Sequence, residues 1–322
     1  MFLNNKLADM GKTSTEVSTH IDRGYAAAVG SALFLSMTAI FILHLTQDYG
    51  LPALVLAYWR EVMVAETLAV VFAIVKPERL RGVRGHTGYL VGYGLVLALF
   101  NALWTLSVAL NGAAVATVLV YSSAGFTALL GWLILKEELT LVKILVVVLS
   151  LLGCALVVNA FNPSVWGLNT TGVITGISAG LFYAVYSIMG RSASQRGLNT
   201  WTTLFYIFTF ASIFMLGFNL LSGGKIPGSA ARPADMLWLG NAWAGWLMLA
   251  ALAVGPTLMG YGLYNVSLRY LPSSTANLVV MIEPVFTAVF AYVLFGEMLT
   301  AAQLVGGAMI LGAVAVLRLG KT

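Results

Sequence analysis

From residue 25 to residue 319 the sequence reads as ten apolar runs of roughly 20 residues, separated by short stretches with glycine, proline and charge. That is the length an α-helix needs to cross about 30 Å of hydrocarbon. A helix also satisfies its own backbone hydrogen bonds, which lipid cannot do for it. The runs cover residues 25–46, 53–75, 87–110, 113–135, 141–160, 169–190, 200–221, 244–268, 273–295 and 301–319. Composition agrees: of 322 residues, 60% are hydrophobic and 9% charged, too little polar surface to cover a water-soluble globule.

The sequence predicts an all-α integral membrane protein of ten transmembrane helices. Residues 1–24 are polar and are expected to form a disordered cytoplasmic tail. They do not read as a secretory signal, because the following apolar run is too long and lacks a small-residue cleavage pattern. Lysine and arginine set the orientation. With the N-terminus in the cytoplasm, 14 basic residues fall in cytoplasmic segments, and only Lys225 and Arg232 fall on the other side. The expected location is therefore the inner (plasma) membrane, multi-pass, with both termini cytoplasmic. The formal charge of +5 sits in loops and gives no nucleic-acid footprint. One cysteine, Cys154, and three dispersed histidines offer no disulfide and no metal-ligand spacing. No metal and no cofactor are expected.

The chain also repeats itself. Shifted by 160 residues, 134–140 (ILKEELT) falls on 294–300 (LFGEMLT), and ten of 40 positions match between 101–140 and 261–300. Leu103/Leu263, Ser107/Ser267, Ala116/Ala276 and the Phe-Thr-Ala runs at 126 and 286 are in register, and Glu137 falls on Glu297. The division is 25–160 and 161–322. Each part holds five spans, an odd number, so the second copy enters the membrane the other way up. Inverted repeats with a site near mid-membrane are an architecture of secondary transporters.

These features, with Glu283-Pro284 in the ninth run, resemble the drug/metabolite transporter superfamily. The closest likeness is to its EamA-type permeases, which include amino-acid exporters of the YddG type. The resemblance covers about residues 25–320 and implies two inverted five-helix repeats around a central cavity. It also implies export of amino acids or other small metabolites. Where that family often carries a second proline, this chain has Ala124, so the fourth run is expected to lack the kink that Pro284 gives the ninth.

Four charged residues lie inside apolar runs: Arg60, Glu61, Glu66 and Glu283. A charge at the bilayer centre costs at least roughly 2.5–3.5 kcal/mol. Such groups should face the bundle interior, pair with one another, or be held neutral. Arg60 and Glu61 are about 100° apart around a helix, so one direction cannot serve both. Arg60 is expected to pair across to another helix, with Glu283 one candidate partner. Glu283 and Glu66, both near mid-depth, are expected in cavity or coupling roles. For Arg60 and Glu61 a purely structural pairing is the alternative. Glu137 and Glu297, at run ends, are expected to bind backbone amides at the turn into the next helix. Thr140 and Thr300 are expected to cap those helices.

Further substrate-binding candidates are polar or aromatic residues at related depths. Tyr183 and Tyr186 share a helical face, and Tyr121 sits beside Ser123. Asn101 and Trp104 share another face, and Tyr264 precedes Asn265. Trp104 and Tyr264 are repeat mates, expected to rim opposite mouths or to join the interfacial aromatic belt. Gly172, Gly176 and Gly180 recur every fourth residue and are expected to pack helices closely. Residues 222–240 read as a connector.

The chain lacks GxxxxGK[ST] and HExxH signatures, which argues against ATP hydrolysis and against a metal-dependent membrane-embedded enzyme acting on a lipid. The expected partners are a small-molecule substrate and the bilayer, with protons a candidate coupling ion. Uptake by the same fold is the rival to export. Glycine stripes serve contacts within a chain or between chains, so they leave oligomeric state open.

Overall fold

The computed structural model describes residues 2–80, 83, 85–162, 169–295, 298 and 300–319. Among them every regular element is helical. The α-helices, in chain order, are α1 (Phe2–Leu35), α2 (Thr38–Gln47), α3 (Ala53–Val75), α4 (Thr87–Val120), α5 (Ser123–Leu135), α6 (Leu141–Val157) and α7 (Thr170–Gln195). There follow α8 (Thr200–Ser222), α9 (Trp243–Leu252), α10 (Gly260–Tyr270), α11 (Ser273–Val280), α12 (Glu283–Phe295) and α13 (Ala301–Leu319). Glu297, Arg81, Arg84 and Lys321 lie outside the described residues.

Among the described residues, seven stretches are long and apolar enough to cross a membrane. One of them, Thr87–Leu135, is 49 residues long, more than twice what a single crossing needs. Two apolar helices fall outside the seven: α3, which carries Arg60, Glu61 and Glu66, and α6, which has 17 residues. The outer surface is apolar where lipid would lie: Leu145 of α6 and Leu304 of α13 are 68% and 58% exposed. These features make the chain a multi-pass membrane protein.

The N-terminal stretch corrects the expectation of disorder, because α1 is helical from Phe2 onward. Once the apolar part of α1 has nucleated, adding residues to its start costs little. The far end is tied back by an ion pair, Arg318 Nη2 to Asp22 Oδ1 at 2.8 Å. Residues 222–240 are likewise more than a connector. Asn219 donates to Leu54 O (3.0 Å) and accepts from Ala230 N (3.1 Å), while Trp59 Nε1 donates to Met236 O (2.6 Å). The loop thereby seals the ends of α3 and α8.

Helix interruptions place the interior side chains, and several follow the 160-residue offset. Helices α5 and α12 begin at 123 and 283, and α6 and α13 at 141 and 301. Within α4, Gly112 adopts φ 78°, ψ 166°, backbone that glycine tolerates and that breaks the helix. Its mate is Pro272, between α10 and α11. The turn at Tyr121–Ser122 likewise matches the turn at Met281–Ile282.

The break in the first half exists without a proline, which corrects the expectation drawn from Ala124. Ser122 Oγ donates to Leu119 O at 2.6 Å, a local bond that competes with helix continuation. Gly180 of α7 lies so close that a Cβ there would collide with Ser122 Oγ and stand 3.0 Å from Val120 O. In the second half Pro284 has no N–H for the Val280 carbonyl, and it sits in the first turn of α12, where that loss is tolerated.

The glycine stripe packs as expected: α7 runs along α4 with Cβ-excluding contacts at Gly172 (Asn111), Gly176 (Ser107 and Leu119) and Gly180. Thr140 and Thr300 are caps, accepting from Lys143 N (3.3 Å) and Gln303 N (3.2 Å). Gln303 returns a bond to Thr300 N at 2.9 Å, completing a capping box.

Candidate functional site

The interruptions between α1 and α2, α4 and α5, and α11 and α12 converge on one cavity. It is lined by Leu35 and Thr38 on either side of the α1–α2 break, Arg60 of α3, Phe100, Trp104 and Val120 of α4, and Tyr121 in the α4–α5 turn. Tyr183 of α7, Tyr261 and Tyr264 of α10, and Glu283 at the start of α12 complete it. About 530 Å³ of empty space lies between these side chains, open solvent at its mouth included.

The walls are aromatic. Phe100 and Tyr183 stack at 4.9 Å between ring centroids with planes 10° apart, and Tyr183 lies 5.5 Å from Tyr264. Tyr186 is fully buried behind them, edge-on to Tyr261 at 5.5 Å. Its hydroxyl accepts from Asn265 Nδ2 (2.5 Å), and Asn265 Oδ1 accepts from Tyr93 OH (3.2 Å). Asn265 and Tyr186 therefore brace the wall without lining the cavity. Ser187 and the Tyr264 hydroxyl are hydrogen-bonded at 2.6 Å, which fixes that ring from behind.

The charges divide by helical angle. Arg60 lines the cavity and is 1% exposed to solvent. Glu61, one residue and about 100° further round, is fully buried behind the wall. Its Oε1 accepts from Asn101 Nδ2 (2.9 Å), and Asn101 Oδ1 accepts from Tyr261 OH (2.8 Å). The relay Glu61–Asn101–Tyr261 thus ends on a cavity-lining ring. Glu61 Oε2 has no hydrogen-bond partner.

Arg60 does not form the expected ion pair. Among the described residues no carboxylate stands within 4.0 Å of it. Its one hydrogen bond runs from Nη2 to Thr105 Oγ1 at 3.5 Å, and Nε has none. Glu283 lines the same cavity but does not reach Arg60. Tyr121 lies beside Glu283, its hydroxyl without a well-formed hydrogen bond. Thr287 Oγ1 bonds both Glu283 O (3.2 Å) and Ser36 O (3.0 Å), joining α12 to the α1–α2 break.

Several sequence expectations change here. Glu66 does not reach the interior: it is exposed on the outer face of α3. Six helical residues beyond Arg60 turn it about 120° away from the cavity side. Trp104 and Tyr264 are neither rims of opposite mouths nor belt residues; both are buried in one cavity. Ser123 is buried but does not line the cavity, bonding Asn277 Oδ1 across the α5–α11 contact at 3.4 Å. Glu137 binds backbone amides, but those of Ser273 and Ser274 in the other half of the chain (2.6 and 3.2 Å), not those of its own next helix.

Sequence reasoning missed Tyr261, Phe100, Leu35 and Thr38. Tyr261 was within reach, since it sits three residues before Tyr264 on the same face and is the repeat mate of Asn101. Phe100 stands four residues before Trp104.

The EamA-like transporter family matches twice, at residues 22–159 and 170–319. An uncharacterized transporter of Archaeoglobus fulgidus is 26% identical over 291 residues, covering 90% of this chain and 94% of its own. The threonine/homoserine exporter RhtA of Escherichia coli is 26% identical over 254 residues, covering 79% and 77%. A solved crystal structure superimposes with a TM-score of 0.71 at 16% identity, covering 92% of this chain and 96% of that one, a likeness of fold. With both halves of the chain matched, this protein belongs to the EamA-like transporter family.

Proposed function

We propose that this chain is a secondary transporter of the inner membrane that exports small metabolites, amino acids among them, by alternating access. One observation carries the reading. The cavity is built from both halves of the chain, holds Arg60 and Glu283, and is walled by aromatic rings. Such a hollow suits a small solute with polar ends and an apolar body. The name of the RhtA relatives supports amino acids as the class.

The proposed architecture is ten spans in two inverted repeats, residues 25–160 and 161–322, with both termini cytoplasmic. Dividing Thr87–Leu135 at Gly112 and adding α3 and α6 brings the seven candidate spans to ten. Residues beside a two-fold axis meet their own mates. The repeat mates Asn101 and Tyr261 are hydrogen-bonded, and the mates Trp104 and Tyr264 line one cavity. Two such halves can exchange conformations and open the hollow to either side in turn.

The experiment is counterflow in proteoliposomes loaded with unlabelled amino acids. The expected result is accumulation of labelled amino acid against protein-free vesicles. Absence of flux for every solute class tried would overturn the transporter reading. Cells producing the protein should also lower their internal amino-acid pool relative to cells without it; a raised pool would replace export by uptake.

A further inference from the structure

The cavity contains one guanidinium and one carboxylate that are not each other's partners. Arg60 is buried among apolar and aromatic side chains, carries an unpartnered Nε, and has one long hydrogen bond. A buried charge left that way is costly unless an ion of opposite sign completes it. Glu61, its neighbour in sequence, is turned to Asn101 and does not face the cavity. Thr38 Oγ1, lining the same space, is also buried without a partner, and the Tyr121 hydroxyl beside Glu283 makes no well-formed hydrogen bond. The site is therefore short of polar partners as it stands.

Resting on the transporter reading above, we propose that Arg60 and Glu283 divide the recognition of a zwitterion between them. Arg60 receives the substrate's carboxylate, and Glu283 receives its ammonium group. A guanidinium is a planar fork of donors whose geometry matches a carboxylate. An ammonium beside Glu283 is also near the rings of Tyr121 and Tyr183, and aromatic π-faces attract cations. The aromatic wall takes the side chain. Both charges of the ligand are needed: a carboxylate alone leaves Glu283 unanswered, and an amine alone leaves Arg60 so. Glu61 is close enough to act on Arg60 electrostatically, but its hydrogen bond to Asn101 in the relay to Tyr261 leaves it without an ion pair to the guanidinium.

The test begins with the ligand, so that it needs no variant. Binding to the purified full chain in nanodiscs is measured by tryptophan fluorescence, which Trp104 reports from inside the cavity. The ligands are L-threonine, L-phenylalanine, L-phenylalaninamide (no carboxylate) and 3-phenylpropanoate (no ammonium). The expected result is saturable binding of at least one amino acid. For phenylalanine, each analogue should bind at least tenfold more weakly; threoninamide and 3-hydroxybutanoate serve the same purpose for threonine.

Arg60→Gln should abolish discrimination against the amide alone, and Glu283→Gln discrimination against the carboxylic acid alone. Arg60→Lys should restore it in part. Wild-type protein that binds an amide or a deaminated acid as tightly as the amino acid overturns the proposal, as does failure to bind either amino acid. In both cases carriage of other solutes in vesicles leaves the transporter reading standing, whereas loss of all flux removes that reading itself.

Discussion

The carboxylate of Glu137 accepts both the backbone N–H (2.6 Å) and the hydroxyl (2.7 Å) of Ser273. Its second oxygen does the same for Ser274, at 3.2 and 2.7 Å. A side chain from the α5–α6 connection of the first half thus caps the N-terminus of α11 in the second, where free N–H groups and the helix dipole favour an anion. Lys143 Nζ donates to Ser274 Oγ (3.3 Å) and Glu138 O (2.5 Å), holding the same corner.

Glu137→Ala should therefore destabilise the fold by about 1.5–3 kcal/mol, the scale for hydrogen bonds to a charged group. Reversible unfolding in mixed micelles measures it. Gly131→Ala should act through the same contact, because a Cβ there would stand 2.8 Å from Glu137 Oε2. If both variants unfold like wild type, the cap contributes nothing to stability.

Gly180 and Gly125 make a matched pair. A Cβ at Gly180 collides with the α4–α5 turn, whereas nothing lies within 4 Å of one at Gly125. Gly180→Ala should cost about 1–3 kcal/mol, the scale of forced overpacking, and Gly125→Ala should leave stability unchanged or raise it. Thermal inactivation of the two variants side by side decides the point.

The relay behind the cavity predicts a charge-swap rescue. Asn101→Ala strands the Glu61 carboxylate and the Tyr261 hydroxyl, at about 1–3 kcal/mol for each buried group left unpaired. Asn101→Asp sets a second carboxylate against Glu61 and should sharply reduce the yield of folded protein at neutral pH. Adding Glu61→Gln to that variant should recover it, because the glutamine amide can donate to the new aspartate. Monodispersity in detergent is the readout.

Glu283 also carries a test of proton coupling. With protons as the exchanged ion, acid outside should accelerate export from vesicles. Glu283→Gln should abolish that acceleration while the protein remains folded. Wild-type flux indifferent to the gradient would leave Glu283 with binding alone.

Much of this molecule is local. Apolar runs of span length dictated a helical membrane chain, and Thr140 and Thr300 marked helix starts through bonds only three residues long. The 160-residue register anticipated the matching helix starts at Leu141/Ala301, whereas the breaks that start helices at Ser123/Glu283 fell inside spans read as continuous. The 100° step between Arg60 and Glu61 already separated a cavity-facing charge from one turned aside. Depth picked out Tyr121 and Tyr183, which do line the cavity, but it set Trp104 and Tyr264 at opposite mouths, whereas both line the same hollow.

What sequence could not supply was the direction in which each helix faces. In water an apolar stripe points to the core, but in lipid the outside is apolar as well, so spacing gives relative angles without a reference. Glu66 accordingly turned outward, and Tyr261 and Phe100 joined the wall unannounced. The bond from Glu137 to Ser273 and the kink at Tyr121 without a proline depend on segments far apart in the chain. Only tertiary packing fixes those contacts, because it alone sets which helix faces meet.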